Sequence, residues 1–205
     1  WRTMLDANPN VRVVANASDP PVAWSARNAK TTWVNLGTGW TQDATTCCEC
    51  GNLIDWNIDG FLCTNCGFET PPASLALEGG HLRTETEDIP LDLSLPGDWN
   101  RSNAALAIAA AQLLGVDIGV SVKGIVSFES VAGRYQSFPL ADGRKCRLLL
   151  AKNPAGWAQV LDYLETIDCG VVMALNARTA DGRDPSWLYD VAFERLEGKP
   201  VAAAG

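Results

Sequence analysis

The sequence predicts an α/β protein whose parallel sheet is interrupted by an inserted four-cysteine element. Three patterns indicate this fold: a strand, a helix and a strand in succession near residue 20, two C-x-x-C-G motifs after them, and an Ala-rich helix near residue 105. A further helix and strand follow in the last quarter of the chain. The 205 residues are enough for one large domain or two small ones.

The first elements form half of a β-α-β unit. Residues 11–15 are a short apolar strand, and residues 31–36 are a second strand. Between them, Asp19 suits a helix N-cap and Pro20 suits the first helical position. Because a helical crossover joins strands that run in the same direction, we expect the two strands to be parallel.

Two C-x-x-C-G motifs predict a metal site. They contain Cys47 and Cys50, then Cys63 and Cys66, with twelve residues between Cys50 and Cys63. Four thiolates at this spacing suit tetrahedral Zn²⁺ in a closed, structural site without an open position for chemistry. The alternative is four reduced, buried thiols without a metal. Cys48 is left outside the site because only one residue separates it from Cys50, and C-x-C is a less suitable spacing than C-x-x-C for two ligands of one ion.

Composition and charge disfavour several functional classes. The net charge is −8, and residues 52–62 contain two Asp and no Lys or Arg, whereas a nucleic-acid surface needs clustered basic groups. The four-cysteine ribbon is therefore interpreted as a structural or docking module. No apolar run approaches ~20 residues, so no membrane span is expected. Cysteines at metal spacing indicate a reducing, cytoplasmic location.

The region after the ribbon predicts further strands at residues 81–86 and 89–95. His81 is the only histidine of the chain. It has no second histidine or acidic residue at a recognisable spacing. We therefore interpret it as an ordinary strand residue rather than a metal ligand or a catalytic base.

Residues 95–115 predict a buried helix. Asn100 or Ser102 is expected to cap its N-terminus, and Gly115 to end it. The Ala-rich composition indicates close packing against a sheet. The predicted apolar stripe comprises Leu106, Ala110, Leu113 and Leu114. An asparagine amide can also pair with an adenine edge, so nucleotide binding is the alternative to simple capping.

The last third of the chain predicts a hairpin, a helix and a strand. A turn at residues 141–144 lies between two strand-like runs. Asn153 is expected to cap a helix with Pro154 at its first position, and the apolar residues of that helix follow helical spacing. A buried-type strand covers residues 170–175. The loop at 176–190 is rich in Asp, Arg and Trp, and such loops often carry function.

The Ala-rich helix resembles a motif of the Mur ligase family. Its sequence L-P-G-D-W-N-R-S-N-A-A-L-A-I-A-A is similar to the G-x-x-N-x-x-N-A-x-A-A pattern of that family's central ATP-binding domain. The resemblance implies that Asn100 and Asn103 lie beside the adenine of ATP. Gly133-Arg134 resembles a G-R-x-E element whose Arg reaches nucleotide phosphate, although the residues alone equally favour Arg134 as a solvated hairpin charge. Lys152 lies at the position where related ligases carry a Lys or His near the transferred phosphate.

Residues 151–161 and 176–194 resemble the C-terminal domain of the MurT family, in which a four-cysteine ribbon also interrupts the ATPase domain. The resemblance implies a partial central ATPase domain at 1–140, with a Rossmann-like parallel sheet and the ribbon at 45–70. A partial α/β C-terminal domain at 141–205 follows it.

Membership of that family implies an ATP- and Mg²⁺-dependent ligase of peptidoglycan synthesis. It would amidate the α-carboxylate of D-glutamate in lipid II to D-isoglutamine through an acyl phosphate. Ammonia would come from a GatD-type glutamine amidotransferase partner in a cytoplasmic heterodimer. Such a complex would contribute to cell wall biogenesis and cell shape.

Asp184 has two interpretations that we weigh equally. The resemblance implies that it completes the Cys–His pair of the amidotransferase, because a carboxylate fixes the tautomer and orientation of such a histidine. The sequence D-P-S-W also predicts an N-cap Asp followed by Pro at the first helical position. Asp181 is a weaker candidate because Asp-Gly is a common turn pair.

The 205 residues contain no G-x-x-x-x-G-K-[ST] phosphate loop. Because Mur ligases carry that loop before the region matched here, we expect a fragment that is inactive alone. Two other functions stay open: a non-catalytic zinc-ribbon interaction module, and another Mur-type ligase that adds amino acids or extends folate. Partner dependence separates the MurT-type enzyme from the other Mur-type ligases, because only the MurT-type enzyme needs an amidotransferase.

Overall fold

The computed structural model describes residues 1–57, 60–128, 135–176, 178 and 183–204. Two compact units are present. Unit 1 comprises Trp1–Ser94 and Asn100–Phe128, and unit 2 comprises Leu95–Trp99 and Glu129–Gly205. The domain boundary expected at residue 140 stays a prediction.

The described chain contains both helices and strands. The α-helices are α1 (Arg2–Asp6), α2 (Pro20–Ala26), α3 (Asp98–Leu113), α4 (Ile118–Val126) and α5 (Pro154–Glu165), and two 3₁₀-helices cover Ser186–Asp190 and Phe193–Leu196. The strands are β1 (Arg12–Asn16), β2 (Lys30–Asn35), β3 (Asp55–Asn57), β4 (Gly60–Leu62), β5 (Leu75–Glu78), β6 (His81–Arg83), β7 (Asp88–Pro90), β8 (Gln136–Pro139), β9 (Lys145–Leu148), β10 (Val171–Ala174) and β11 (Val201–Ala204).

A five-stranded sheet in the order β1-β2-β5-β6-β7 organises unit 1. β1 and β2 are parallel, with Arg12 opposite Lys30, and α2 connects them. The Asp19 carboxylate caps α2 by accepting a hydrogen bond from the N–H of Val22 at 3.0 Å. β5 continues the parallel part, and β6 and β7 extend the sheet in antiparallel fashion. The α/β fold with a parallel sheet is thus confirmed.

The two ends of α3 differ in how well the sequence predicted them. The helix begins at Asp98, so Asn100 and Ser102 lie inside it and the prediction that one of them is the N-cap was wrong. At the other end, Gly115 has a φ of 85° and its N–H bonds the carbonyl of Gln112 at 2.9 Å. The N–H of Val116 reaches back to Ala111 at 3.0 Å, which completes a Schellman motif.

The buried face of α3 consists mainly of alanines. These residues pack against apolar side chains of the sheet and of the segment after β7, and the cluster comprises Ala104, Ala105, Ile108, Ala109, Val34, Leu75, Leu82 and Leu91. Close packing against the sheet is confirmed, and Leu106 of the predicted stripe packs against the cluster, but the stripe was wrong at Ala110 and Leu114, which are exposed. Leu114 is 79% exposed because it lies beyond the last helical residue, where helical periodicity no longer applies.

Unit 2 contains an antiparallel hairpin, α5 and a parallel strand pair. β8 and β9 pair with Phe138 opposite Cys146, and β10 pairs with β11. Asn153 caps α5 by accepting from the N–H of Gly156 at 2.7 Å, as predicted. The apolar face of α5, which presents Val160, Leu161 and Leu164, packs against Val191 and Leu196 to form the core of the unit.

The longest described helix, α3, has 16 residues. Among the described helices, none combines the length and the apolarity that crossing a bilayer requires.

Candidate functional site

Two equivalent turns present the cysteines of the C-x-x-C-G motifs. In the first, the N–H of Gly51 donates to the carbonyl of Cys47 at 2.9 Å, and in the second Gly67 donates to Cys63 at 2.8 Å. The φ angles of Gly51 and Gly67 are 76° and 73°. Only glycine adopts this region without steric cost, so each motif needs its glycine.

The four thiol sulfurs form one compact cluster. The Sγ atoms of Cys47, Cys50, Cys63 and Cys66 all lie within 4.8 Å of one another. The Cys47–Cys66 and Cys50–Cys63 sulfur distances are 3.6 and 3.5 Å. Four sulfurs about 2.3 Å from a tetrahedral zinc ion would be about 3.8 Å apart. In distance and in chemistry the donor set fits a closed metal site, and zinc as the bound ion stays a prediction.

Local hydrogen bonds favour the thiolate form at one position of the cluster. The pKa of the Cys50 thiol is lowered to about 6, first by the backbone N–H of Asn52 and then by the side chains of Asn65 and Asn52. Because a metal binds the thiolate, the lowered pKa of Cys50 favours metal capture at neutral pH.

The opposite shift applies to Cys66. The N–H of Phe68 lowers its pKa, but burial and the hydrogen bonds with the neighbouring sulfurs raise it by more. A further negative charge in the cluster is unfavourable without a cation, and a bound metal ion would remove that cost. Cys48 is exposed and is not part of the sulfur cluster.

Asn100 and Asn103, the predicted adenine-binding residues, lie at the start of α3. Residues three positions apart are neighbours on a helix surface, so one ligand can contact both. Asn100 is half-buried and Asn103 is exposed. The adenine contact itself stays a prediction.

The two predicted phosphate contacts are less well defined. Arg134 lies outside the described residues. Lys152 is exposed and directly precedes Asn153, the N-cap of α5 in unit 2. Their contact with nucleotide phosphates therefore stays a prediction.

The carboxylate of Asp184 takes part in a local turn. It accepts a hydrogen bond from the backbone N–H of Ser186 at 2.9 Å, and this bond is the main reason for its lowered pKa. The N-cap of the following 3₁₀-helix is Pro185, so the predicted cap at Asp184 was displaced by one position. Asp184 is exposed and Asp181 lies outside the described residues.

Sequence reasoning missed the acidic partner of His81. The Nδ1 atom of His81 lies 2.7 Å from a carboxylate oxygen of Asp88, and Arg83 lies 3.4 Å from the other oxygen. The antiparallel pairing of β6 and β7 brings these side chains together. Recognition of the hairpin between the two strand-like runs would have found the pair. His81 lies on a strand, as predicted.

Comparisons with known proteins identify relatives of this chain. Residues 150–204 match the family described as MurT ligase C-terminal. A Staphylococcus aureus protein described as the subunit MurT of lipid II isoglutaminyl synthase (glutamine-hydrolyzing) is 29% identical over 96% of this chain and 49% of its own length. The subunit of the same description from Streptococcus pneumoniae is 27% identical over 73% of this chain and 36% of its own length. The chain spans about half the length of the curated relatives it matches, or less.

A solved structure shares the fold. The structure of a pseudomurein peptide ligase type C from Methanothermus fervidus matches with a TM-score of 0.64 and 21% identity. The match covers 94% of this chain and 45% of the other. At this level of identity the likeness establishes the fold alone.

Proposed function

We infer that this chain, whose resemblance to the MurT family is confirmed, is part of an ATP-dependent carbon–nitrogen ligase. The observation that carries this proposal is the match of residues 150–204 to the MurT ligase C-terminal family. Similarity to a MurT subunit over 96% of the chain supports it. The proposed enzyme amidates the D-glutamate of lipid II during peptidoglycan synthesis.

The proposed reaction has two chemical steps. An oxygen of the α-carboxylate of D-glutamate attacks the γ-phosphorus of ATP, so that ADP leaves and an acyl phosphate forms. Ammonia then attacks the acyl carbon, the carbon–nitrogen bond forms, and inorganic phosphate leaves while the nitrogen gives up its extra proton. Phosphate is a far better leaving group than oxide, which is why the reaction requires ATP. Mg²⁺ would offset the phosphate charge.

Residues of this chain would supply part of the nucleotide site. Asn100 and Asn103 are proposed to hydrogen-bond the adenine, with Arg134 and Lys152 directed to the phosphates. Their support is the family pattern and, for the asparagines, their neighbouring positions on α3. The 205 residues lack a phosphate-loop motif, so the proposed activity belongs to a longer protein.

Ammonia is proposed to come from a GatD-type glutamine amidotransferase. Asp184 would hold the far nitrogen of the histidine in the partner's Cys–His pair and stabilise the imidazolium that forms. The exposure of Asp184 and its lowered pKa support this role, because the carboxylate is charged at neutral pH and accessible. The four cysteines would hold a structural zinc ion, because a four-thiolate site leaves no open position for substrate.

The proposal is tested with the longer natural protein, a glutamine amidotransferase of this type, ATP, lipid II and glutamine labelled with heavy nitrogen in its amide. We expect the label in a new carboxamide of lipid II, and one ADP for each amide formed. Transfer of an amino acid without an amidotransferase would instead indicate another Mur-type ligase. No ATP-dependent reaction at all would favour a non-catalytic ribbon module.

A further inference from the structure

A glutamate inside the first cysteine motif is bonded to helix α2. Glu49 lies between Cys48 and Cys50 in the sequence. Its Oε2 atom accepts a hydrogen bond from Nε1 of Trp24 at 2.8 Å and lies 2.8 Å from a guanidinium nitrogen of Arg27. Trp24 belongs to α2, and Arg27 is the C-cap of that helix. The carboxylate therefore joins the cysteine motif to the C-terminal half of α2.

The Trp24 indole is itself held in place by cationic side chains. The Arg2 guanidinium carbon lies 4.4 Å from the indole ring centroid, and that of Arg27 lies 5.9 Å from it. Contacts of this kind are attractive because the ring face is electron-rich. The indole N–H is thus held towards Glu49 by residues of unit 1 alone.

An apolar contact accompanies this polar one. Cys47 and Cys63 are buried in one cluster with Ala23 of α2, and Trp33 of β2 packs against the same cluster. Ala23 and Cys63 are fully buried. The ribbon therefore meets the β1-α2-β2 unit through a dry contact at Ala23 and a charged contact at Trp24 and Arg27.

We propose that Glu49 is a positioning residue that couples metal binding at the four cysteines to the stability of α2. A bound ion would order the backbone of the first motif, and Glu49 would pass that order to α2 through Trp24 and Arg27. Because such coupling is reciprocal, loss of the Glu49 contacts must weaken metal binding. On this view the ribbon is an integral part of the β1-α2-β2 unit rather than an independent docking module.

The direct electrostatic effect of Glu49 has the opposite sign. Four thiolates around Zn²⁺ carry a net negative charge, which a nearby carboxylate repels. Removal of the carboxylate charge alone would therefore leave zinc affinity unchanged or strengthen it. A weaker site after Glu49→Ala can only come from lost positioning, so the direction of the change distinguishes the two effects.

The first experiment measures zinc affinity of the full chain by competition with a chromogenic chelator. Glu49→Ala, which removes the acceptor of the Trp24 and Arg27 bonds, should weaken zinc binding by about tenfold, a typical effect for residues that orient metal ligands. Trp24→Phe, which keeps an aromatic ring but removes the indole donor, should change affinity in the same direction. Glu69→Ala is the matched control, because Glu69 is an exposed glutamate of the ribbon whose side chain has no bond to the rest of the described chain. Equal affinities for Glu49→Ala and Glu69→Ala would overturn the proposal.

The second experiment measures amide hydrogen exchange in α2 with and without zinc. In the unsubstituted chain, metal removal should accelerate exchange in α2 as well as in the cysteine motifs, and it should leave α5 unchanged. In Glu49→Ala, the response of α2 exchange to zinc should be much smaller, because only the apolar contact at Ala23 remains, while the cysteine motifs still respond. If α2 of the unsubstituted chain exchanges at the same rate with and without zinc, the coupling does not exist.

Discussion

The carboxylate of Asp184 accepts a hydrogen bond from the backbone N–H of Ser186 at 2.9 Å. The bond holds the acid at the start of a 3₁₀-helix, and it keeps the pKa of Asp184 below its ordinary value. A local turn needs only an acceptor oxygen at this position, whereas the orientation and stabilisation of a partner's histidine needs a fixed, charged carboxylate. A substitution that tests the role of Asp184 towards a partner must therefore remove its charge and keep the turn.

Asp184→Asn makes that separation. Asparagine can accept the same bond from Ser186 but cannot stabilise an imidazolium, so folding and assembly should persist while glutamine hydrolysis falls by orders of magnitude. Glutaminase assays of the assembled complex measure the effect. Asp190→Asn, at the other end of the same 3₁₀-helix, is the control and should keep full activity. Unchanged glutamine hydrolysis in Asp184→Asn would leave Asp184 with a turn role only.

One zinc ion per chain is expected at the sulfur cluster. Elemental analysis of protein purified without chelator should find one zinc, and Cys50→Ser should abolish it because a thiolate ligand is lost. Cys48→Ser should retain the ion, since Cys48 is exposed and outside the cluster. Metal-free protein after such a purification would contradict the metal assignment.

Asn103→Ala should weaken ATP binding in the complete enzyme. The expected cost is about 1–3 kcal/mol, because hydrogen-bonding groups of the adenine would lose their partner. Isothermal titration with ATP measures the change. Gln112→Ala, on an exposed position near the other end of α3, should have no effect. Equal affinities for the two variants would exclude Asn103 from the nucleotide site.

The buried face of α3 predicts contrasting effects of two truncations. Ile108 is fully buried against the sheet, so Ile108→Ala should lower the free energy of unfolding by about 2–5 kcal/mol. Leu114→Ala should change it by less than about 0.5 kcal/mol, because Leu114 is 79% exposed. Chemical denaturation checks both values. A larger effect at Leu114 would restore the apolar stripe that the sequence predicts.

An ion pair predicts how the stability of unit 2 depends on pH. Arg195 bonds Glu165 at 2.8 Å and Asp162 at 2.7 Å, and the bond from Arg195 is the main reason for the lowered pKa of Glu165. The folded-state pKa lies below the unfolded one. The stabilisation is therefore present above the ordinary glutamate pKa of about 4.3 and is lost as pH falls through the folded value.

Arg195→Gln should consequently lower the free energy of unfolding at neutral pH and have a smaller effect at about pH 2, because the Glu165 carboxylate loses its charge as pH falls. Chemical denaturation at the two pH values measures the difference. Lys145→Gln, an exposed substitution on β9, is the control and should show no such trend. A pH-independent effect of Arg195→Gln would assign the role of Arg195 to packing instead.

Features that depend on a few consecutive residues were predictable from the sequence. The caps at Asp19 and Asn153 each join a side chain to a backbone N–H three positions later. The turns at Gly51 and Gly67 likewise close within five residues. In such segments the preferred backbone angles and the bonded groups are encoded together, so spacing alone identified the ligand turns and the starts of α2 and α5.

Local rules failed where two signals competed. Asn100 and Ser102 are good capping residues, yet α3 begins at Asp98 because residues 98 and 99 also adopt helical conformation. The predicted stripe on α3 favoured large side chains, whereas the sheet accepts the alanine face, which lets the helix backbone approach closely. Composition indicated a buried helix, but it could not choose which face is buried.

The sequence by itself determined the α/β fold class, the four-cysteine motif and the family resemblance, because each is written in contiguous residues or in fixed spacings. Only the tertiary structure decided which distant side chains meet. Strand pairing places Asp88 beside His81, and the packing of the ribbon on α2 places Glu49 against Trp24, 25 positions earlier. The Glu49–Trp24 pair carries no local signal, because the packing of the ribbon on α2 results from the burial of apolar surface elsewhere.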